Sequence, residues 1–299
     1  MKNKLKAVVV GGAGFIGSHL VNFLIDQEME VRVVDNLVAG KRENVNVKAE
    51  LLVADIRDRE AIAPVFVKAD YVFHLAALPR VQYSIEHPLE THEVNITGML
   101  NVLLAARDAK VKRVIYSASS SAYGDQILMP LYEDMPANPK SPYGLHKYLG
   151  ELYCRVMSEV YNLSTVSLRY FNVYGPGQDP NGPYALVIGR FLKQRAEGKP
   201  LTVTGDGKQT RDFTHVRDVV RANWLAATSD QVGRGEVINI GAGNSISINQ
   251  LAKIIGGPVE YVSARLEPKH TLADITKANK LLGWSPEIVF EHGLEELLK

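Results

Sequence analysis

The chain has 299 residues, of which 46% are hydrophobic and 22% charged, and its formal net charge is +1. This length and composition suit a globular protein of one large domain or two ordinary ones. The low net charge argues against nucleic acid or an acidic membrane as a partner. Cys154 is the single cysteine, so we expect a reducing compartment, and a small buried side chain rather than a catalytic thiol at this position.

The start of the chain has the basic and apolar residues of a secretory signal peptide, but not in the usual proportions. Lys2, Lys4 and Lys6 precede the apolar run Ala7–Val10, which glycines interrupt at once. No later stretch approaches the ~20 apolar residues that span a bilayer. We therefore expect a cytoplasmic protein that does not interact with a membrane.

Short β-branched runs alternate with longer segments of helical spacing through the first half of the chain. This alternation predicts an α/β fold, a Rossmann-type doubly wound parallel sheet with helices on both faces. The runs are continuously apolar, as is typical of strands that are buried on both faces. The predicted strands are Ala7–Val10, Glu30–Val34, Glu50–Val53, Tyr71–His74, Arg113–Ser117 and Thr165–Arg169, and the clearest helices are Ser18–Gln27, Val94–Ala109 and Tyr143–Tyr161.

The pattern changes after about residue 170, where loops rich in Gly, Pro, Asn and Asp appear. Val237–Gly241 is an exception, because it has the composition of one more strand of the main sheet. We therefore predict two domains. The sheet domain takes residues 1–170 and about 214–242, and a smaller, partly inserted C-terminal α/β domain for the substrate takes 171–213 and 243–299.

A glycine-rich turn follows the first predicted strand directly. Gly11, Gly14 and Gly17 have the spacing GxxGxxG, and a helix is predicted from about Ser18. Glycines let the backbone turn sharply and approach a pyrophosphate, and the N-terminus of the next helix favours its negative charge. Plain strand–helix connections also contain glycine, but the position between a strand and a helix makes this turn a candidate dinucleotide site.

Asp35 follows the second predicted strand, about 20 residues beyond the last glycine of the turn. A carboxylate at this place accepts hydrogen bonds from ribose hydroxyls and repels a 2′-phosphate, which favours NAD over NADP. Two further strand ends suit the same cofactor. Asp55 and Ile56 close the third strand, where an adenine would lie, and Ala76 and Ala77 end the fourth with small side chains.

Tyr143 and Lys147 are four residues apart in a predicted helix that begins at Ser141 and Pro142, so both side chains project from one face. A free tyrosine is a poor base, because its pKa is about 10. A lysine ammonium and a cationic nicotinamide would lower that pKa, and Tyr143 would then remove a proton from a sugar hydroxyl. A surface Tyr–Lys pair is the commoner explanation of the spacing alone.

A run of serines follows the fifth predicted strand at its carboxyl end, where ligands collect in open α/β sheets. Its members include Ser117, Ser119, Ser120 and Ser121. A hydroxyl at this edge can bond the same oxygen that Tyr143 deprotonates, although serines also simply begin loops. The glycine turn, the serines and the Tyr–Lys helix occur together and in the expected order, and jointly they indicate an NAD-dependent enzyme.

These features and several later motifs resemble those of the NAD-dependent UDP-sugar 4-epimerases, members of the extended short-chain dehydrogenase/reductase family. The resemblance extends over essentially the whole chain, and its later motifs are specific to enzymes that act on nucleotide sugars. Besides the residues already named, it includes His74–Ala77, Arg169–Pro176, Gly205–Gly207, Arg211–Phe213 and Ala273–Lys277.

The resemblance implies a role for each matching residue. Tyr143 is the base, Lys147 binds the nicotinamide ribose and tunes Tyr143, and Ser119 holds the reacting oxygen with help from Ser120 or Ser121. The implied NAD-binding residues are Gly11, Gly14, Phe15, Ile16, Gly17, Asp35, Asn36, Asp55, Ile56, Ala76, Ala77, Ser117, Tyr143, Lys147 and Tyr170. The implied substrate-binding residues are Arg80, Ser119, Ser120, Phe171, Asn172, Arg211, Arg265 and Thr271, and no metal ion is called for.

The implied reaction inverts C4 of a UDP-hexose through a transient 4-keto sugar and leaves NAD unchanged. Related dehydratases and decarboxylases carry an acidic residue just after the active-site serine, where this chain has Ser120 and Ser121. A reductase would prefer NADPH, which Asp35 disfavours. The alternative from a different class is a regulatory protein that binds NAD without turnover, but such proteins usually lose the Tyr or the Lys that this chain keeps.

Two residues bear on the choice of sugar. In the family, a bulky residue at the position of Thr271 closes the pocket to N-acetyl groups, and a small one admits them. Threonine there favours UDP-N-acetylglucosamine, together with UDP-glucose. Arg80 replaces a small or neutral residue often found near the sugar; it lies on the surface or meets a carboxylate, which keeps an acidic substrate such as UDP-glucuronate open. Arg211 and Arg265 would grip the diphosphate, although the segment around Arg265 is one residue shorter than usual.

Members of the family commonly form homodimers through two helices of each subunit. In this chain the corresponding helices are Val94–Ala109 and Tyr143–Tyr161. Their apolar and tyrosine content fits a four-helix interface, and it fits ordinary core packing equally well. The resemblance therefore implies a homodimer.

Overall fold

A computed structural model describes residues 4–181, 186–264 and 268–299 of the chain. Its strands are β1 (Lys6–Val10), β2 (Glu30–Asp35), β3 (Glu50–Val53), β4 (Tyr71–His74), β5 (Arg113–Ser119), β6 (Thr165–Tyr170), β7 (Val173–Tyr174), β8 (Leu201–Thr204), β9 (Thr210–Arg211), β10 (Thr214–His215), β11 (Arg234–Ile240), β12 (Ile246–Ser247) and β13 (Val259–Val262). Its α-helices are α1 (Phe15–Asp26), α2 (Arg59–Ile62), α3 (Val81–Glu86), α4 (Pro88–His92), α5 (Met99–Asp108), α6 (Pro142–Tyr161), α7 (Val187–Ala196), α8 (Val216–Thr228), α9 (Ile248–Ile255), α10 (Thr276–Leu282) and α11 (Phe290–Leu298). Short 3₁₀ turns are formed by Arg42–Asn44, Ala63–Phe66 and Ser120–Ala122, and a π-helical segment by Glu93–Gly98.

Seven of the described strands form one central sheet. The strand order is β11-β6-β5-β4-β1-β2-β3, and every neighbouring pair is parallel. The chain passes from β1 to β2 and β3 on one side, and then through β4 to β11 on the other, so the order reverses beside β1. Open α/β sheets bind ligands outside the carboxyl ends of the strands at such a reversal. The predicted doubly wound parallel sheet is confirmed.

The strands of this sheet are covered on both faces. In β1, Ala7 and Val9 pack in a hydrophobic cluster with α1 and α8, whereas Val8 and Val10 pack in a second cluster with α5 and α6. Successive residues of a strand point to opposite faces, so an apolar layer on each side requires an apolar residue at every position. This explains the continuously apolar runs in the sequence.

A separate hydrophobic cluster joins segments that follow β6. It includes Phe191 of α7, Leu201 of β8, Leu251 of α9 and Leu294 of α11. Among the described strands, three two-stranded sheets connect the same part of the chain, pairing β7 with β10, β9 with β12 and β8 with β13. Trp284, after α10, instead packs into the cluster of α1 and α8. The part of the chain after residue 243 therefore contacts both cores, and the proposed domain limits stay a prediction.

The helix predicted over Val94–Ala109 is confirmed, but its hydrogen-bonding pattern changes partway along the segment. A π-helical segment, Glu93–Gly98, precedes α5. Within it, Asn95 Oδ1 accepts a hydrogen bond from the Leu78 backbone N–H at 2.8 Å, and Asn95 Nδ2 donates to the Leu78 carbonyl at 3.1 Å. The wide helical turn thus holds the loop that follows β4.

Among the described residues, no helix has both the length and the apolar content that crossing a membrane would require.

Candidate active site

The glycine turn that follows β1 is tight, with its backbone atoms packed closely against one another. Gly11 has φ +87°, and the Gly14 N–H donates to the Gly11 carbonyl at 3.3 Å. A Cβ on Gly17 would lie 2.1 Å from the Gly11 oxygen, and a Cβ on Gly11 would lie 2.6 Å from the Ala76 nitrogen. The close approach of these segments therefore requires glycine at both positions.

The N-terminus of α1 opens directly from this turn. Gly14 is the residue before the helix, and no side chain caps it. The first N–H groups of a helix lack partners within the helix and favour an anion, so this end suits a pyrophosphate. The turn and the uncapped helix therefore fit the diphosphate of a dinucleotide.

Asp35 ties the glycine turn to β2. Its Oδ2 accepts a hydrogen bond from the Ala13 N–H at 2.9 Å, and its Oδ1 accepts one from the Leu37 N–H at 2.9 Å. A carboxylate has about four acceptor positions, so both oxygens keep capacity for ribose hydroxyls. Asp35 would therefore shape the turn as well as bind the cofactor.

The neighbouring strand end carries a fixed charge. Asn36 Nδ2 donates to Asp55 Oδ2 at 3.1 Å, and Arg57 donates to the same carboxylate through Nε at 3.0 Å and Nη2 at 2.9 Å. Hydrogen bonding by Arg57 lowers the pKa of Asp55 to about 2, so this group is ionised at neutral pH. Ile56, next in the chain, is buried and packs with the residues around α5.

The proposed base lies in the first turn of α6. Ser141 caps this helix, its Oγ accepting a hydrogen bond from the Gly144 N–H at 3.1 Å, and Pro142 follows. The Tyr143 N–H donates to Ser84 Oγ of α3 at 3.1 Å, and the Tyr143 side chain is half-buried and hydrogen-bonded to Ser119. The end of β5 and the start of α6 therefore bring the predicted serine and tyrosine together.

Lys147 lies one turn further along α6, under the same site. Its Nζ donates to the Ser117 carbonyl at 2.6 Å, and it lies 6.0 Å from the centre of the Tyr143 ring and 5.0 Å from that of Tyr116. The residue is only 4% exposed. Burial lowers the pKa of Lys147 to about 8, and the negative charge of Glu151 opposes this change.

The protein alone does not activate Tyr143 in the way that the sequence suggested. Burial raises the pKa of the Tyr143 phenol above its ordinary value. The hydrogen bond with Ser119 and the positive charge of Arg80 oppose this rise. The expected lowering would therefore depend on the positive charge of a bound nicotinamide, and Arg80 is placed to assist it.

Tyr170 and Ser117 form a buried network below the cofactor edge. Ser117 Oγ and Tyr170 Oη are 3.1 Å apart, and Tyr170 Oη donates to Asn223 Oδ1 at 2.9 Å. Burial raises the pKa of Tyr170 to about 12, so the phenol stays neutral. On this evidence, Tyr170 supports the site as a neutral hydrogen-bonding group.

Residues predicted to bind the substrate meet around Asp212. Asn172 Nδ2 lies 3.2 Å from the Asp212 carbonyl and 3.3 Å from Thr271 Oγ1, to both of which it donates. The Asp212 carboxylate accepts N–H bonds from Ala242 at 2.8 Å and Ala273 at 2.9 Å, and burial raises its pKa to about 6. Strand β9, with Arg211, thus joins the segments that carry Asn172 and Thr271.

The remaining predicted substrate residues are placed differently. Arg211 is 8% exposed, and its Nη1 donates to the Thr210 carbonyl at 2.9 Å. Phe171 is fully buried, and its ring lies against that of Tyr123. Ser119 Oγ is bonded by Ser121 rather than Ser120. Arg265 lies outside the described residues.

Three residues around the site were missed by reasoning from sequence. Ser84 and Asn95 act across separations of 59 and 17 residues, which no local spacing reveals. Glu151 was accessible to such reasoning, because it continues the helix face of Tyr143 and Lys147 at the next interval of four residues.

Proteins of known family are similar to this chain over its whole length and agree with the interpretation of the site. Residues 7–241 match the NAD dependent epimerase/dehydratase family. The UDP-glucose 4-epimerase of Thermotoga maritima, solved with UDP-glucose, is 39% identical with a TM-score of 0.94, covering 98% of this chain and 97% of that one. The UDP-N-acetylglucosamine 4-epimerase of Methanobrevibacter ruminantium, solved with UDP-N-acetylmuramic acid, is 40% identical with a TM-score of 0.94, covering 100% and 98%. The UDP-glucuronate 4-epimerase of Thermodesulfobacterium geofontis is 38% identical, covering 96% of this chain and 93% of its own.

These similarities confirm the resemblance predicted from the sequence, and with it NAD as the cofactor. The chain therefore belongs to the NAD-dependent epimerase/dehydratase family.

Proposed function

We propose that this chain is an NAD-dependent UDP-sugar 4-epimerase that accepts UDP-N-acetylglucosamine and UDP-glucose. The observation that carries the activity is the convergence of Ser119, Tyr143 and Lys147 at the carboxyl end of β5. Ser120 and Ser121 occupy the positions where the related dehydratases and decarboxylases carry an acid. Without a carboxylate there, elimination of water or loss of a carboxyl group has no acid or base at those positions.

Tyr143, Ser119 and Lys147 have different proposed roles in the reaction at C4. Tyr143, as phenolate, takes the proton of the C4 hydroxyl, while the Ser119 hydroxyl holds the same oxygen. Lys147 keeps a positive charge beneath the site and anchors it through the Ser117 carbonyl. When bound, NAD supplies the oxidation and the reduction at C4. The 4-keto sugar would rotate between the two steps and present its other face for reduction. The Tyr143 phenol then returns the proton to the C4 oxygen.

The proposed breadth of substrate rests on Thr271. This side chain is short, and its hydroxyl accepts hydrogen bonds from Asn172 Nδ2 and the Asp212 N–H, both at 3.3 Å. Those bonds direct the hydroxyl toward β9, and a threonine occupies less space than the bulky residue that closes the sugar pocket in other members of the family. A similar enzyme, from Methanobrevibacter ruminantium, is named for the N-acetylated substrate.

An acidic UDP-sugar is a second candidate, and Arg80 favours it. This residue is half-buried at the start of α3, and the charges that act on it come from Tyr143 and Asp179. A guanidinium this close to the base is suited to a sugar carboxylate. One similar protein is named a UDP-glucuronate 4-epimerase, and another was solved with UDP-N-acetylmuramic acid.

Proton NMR of the products tests the activity and ranks the substrates. The purified protein, without added cofactor, is incubated separately with UDP-glucose, UDP-N-acetylglucosamine and UDP-glucuronate. C4 epimers from the first two are expected, since the cofactor is unchanged by the reaction and stays bound. If none of the three is converted even with NAD added, the epimerase proposal fails; turnover of UDP-glucuronate alone would establish the acidic candidate in its place.

Two variants test the assigned residues. Tyr143→Phe should retain NAD and lose at least a thousandfold in turnover, since general base catalysis contributes about 10²–10⁴-fold and the phenol also returns the proton. Tyr161→Phe, at the exposed end of the same helix, is the matched control and should stay active. Thr271→Tyr should lose the N-acetylated substrate and keep UDP-glucose. Equal loss of both sugars would contradict the role given to Thr271.

We further propose that the protein is a homodimer whose subunits pair through α6 and the helical segment Val94–Ala109. Leu145, Val156 and Val160 are 44%, 42% and 63% exposed and lie along one side of this helix. A two-fold axis would set the same apolar stripe of a second copy against it. Light scattering after gel filtration should give twice the mass of the chain for the wild-type protein, and the mass of a single chain for Val160→Glu. A monomeric wild-type protein would refute the interface.

A further inference from the structure

A buried ion pair lies directly behind Lys147. Arg169, near the end of β6, donates to Glu151 of α6 through Nε to Oε1 at 2.8 Å and through Nη2 to Oε2 at 2.6 Å. The side chains are 4% and 2% exposed. Arg169 also donates through Nη1 to the Glu133 carbonyl at 3.3 Å and lies 4.4 Å from the centre of the Tyr123 ring. Both charges are therefore fixed in position and removed from water.

The position of this pair on α6 connects it to the proposed chemistry. Tyr143, Lys147 and Glu151 follow one another at intervals of four residues, so they share a helix face that packs on β5 and β6. Burial raises the pKa of Glu151, and the hydrogen bonds and positive charge of Arg169, together with the charge of Lys147, oppose this rise. As a carboxylate in this ion pair, Glu151 acts on Lys147 as an opposite charge. The pair thus supplies the acidic group nearest the lysine along the helix.

Lys147 needs such a group because its surroundings offer little to an ammonium ion. In the described part of the chain its one hydrogen bond goes to the Ser117 carbonyl. Its other neighbours are the Tyr116 and Tyr143 rings, the buried His74 and the Cys154 thiol. Burial raises the pKa of Cys154 to about 12 and lowers that of His74 to about 3, so both are neutral near pH 7.

Stability alone does not explain an ion pair in this place. Two buried charges lose their hydration, and well-packed apolar residues of similar volume often stabilise a core as well or better. The bidentate geometry does, however, fix the orientation of the carboxylate. A role for the negative charge itself accounts for both the burial and the geometry.

We propose that Glu151, held by Arg169, is a positioning residue that keeps Lys147 protonated at neutral pH and so sets the alkaline limit of the reaction. The inference extends the proposed epimerase function, because it assigns how the lysine beneath the base keeps its charge. The other titratable groups named around the lysine and the base are Tyr116, His74, Cys154, Tyr143 and Arg80, and none of them is a carboxylate.

The first test follows the ionisation of Lys147 directly in the protein with its cofactor retained. The ¹³Cε resonance of labelled lysine, assigned by its loss in Lys147→Arg, is titrated in wild-type protein and in Glu151→Gln. Removing an opposite charge at this range should lower the midpoint by about one unit or more. Glu159→Gln, the same substitution at an exposed ion pair of the same helix, should leave it unchanged. Equal midpoints in wild-type protein and Glu151→Gln would overturn the proposal.

A second variant guards against misfolding of Glu151→Gln, which leaves Arg169 buried without its partner. Glu151→Leu combined with Arg169→Met removes both charges at similar volume and should fold. In this variant the alkaline limb of kcat should also move to lower pH, by less than in Glu151→Gln. If the double variant folds, is active and keeps the wild-type alkaline limb of kcat, the Glu151–Arg169 ion pair has only a structural role. Because the resonance is measured without turnover, inactivity on every UDP-sugar would defeat the proposed function and not this inference.

Discussion

Replacement of Gly17 by alanine is the sharpest test of the cofactor site. The added Cβ would lie 2.1 Å from the Gly11 oxygen and 2.8 Å from the Gly12 Cα. Both are backbone atoms, so no side-chain rotation relieves the clash, and helix and turn would have to separate by more than an ångström to reach an ordinary contact. The turn would then no longer present its N–H groups to a pyrophosphate.

The expected magnitude follows from overpacking. Such insertions typically cost about 1–3 kcal/mol, which corresponds to a fall in Tm of about 2–12 °C. A loss of only ~1.4 kcal/mol from the cofactor contacts would weaken NAD binding tenfold. Gly17→Ala should therefore be purified with little NAD and show a lower Tm.

Gly14→Ala is the matched control in the same turn. Its Cβ would meet the Gly11 oxygen at 3.4 Å, and the backbone there has φ −80°, which alanine adopts freely. The Tm of this variant without cofactor should stay close to that of the wild type. The assays are differential scanning fluorimetry and the absorbance of NAD released on denaturation. A Gly17→Ala protein with wild-type Tm and full NAD content would refute the reasoning.

Three further predictions concern single side chains. Asp35→Ala should weaken NAD binding and reduce the preference for NAD over NADP, as measured by titration with each nucleotide. Unchanged affinity for both nucleotides would contradict the role of Asp35 in binding the ribose. Cys154 is fully buried, so a thiol reagent at pH 8 should label it only as fast as the protein opens, and rapid labelling of the native protein would contradict its placement. Folding raises the pKa of Asp212 from 3.8 to about 6, so the folded state binds a proton at this carboxyl group more tightly than the unfolded state does. The wild type should therefore gain stability relative to Asp212→Asn as the pH falls from about 6 to 4. Thermal unfolding of both proteins across that range checks the sign, and the opposite trend would show that the carboxylate is favoured by folding.

The central sheet could be predicted because most of its strands are short apolar runs that can be recognised in the sequence without knowledge of their partners. The strands β3 and β4 have the predicted limits, and apolar residues form most of each run. Strand β11 was predicted from Val237 and begins at Arg234, where polar residues and a register shift conceal the pairing with β6. The short strands after β6 were missed, because two-residue pairings depend on partners distant in sequence.

The site was predictable in its identities and less so in its electrostatics. Motifs located the serine run, the Tyr–Lys helix and the glycine turn. They did not reveal that burial raises the pKa of Tyr143, or that Glu151 and Arg169 form an ion pair behind Lys147. These properties arise from packing between elements. The roles of the predicted binding residues and the cytoplasmic location stay predictions.

The segment that carries Thr271 is held in place by its main chain. The Ala273 N–H donates to the Asp212 carboxylate at 2.9 Å, and the Asp274 N–H donates to the Leu131 carbonyl at 2.8 Å. Such bonds form whatever side chain stands at position 271. An exchange there could therefore alter the sugar that fits while the backbone keeps its path and the catalytic edge stays intact. If Thr271 sets the sugar as proposed, the substrate could change by a single substitution without disturbing the backbone around it.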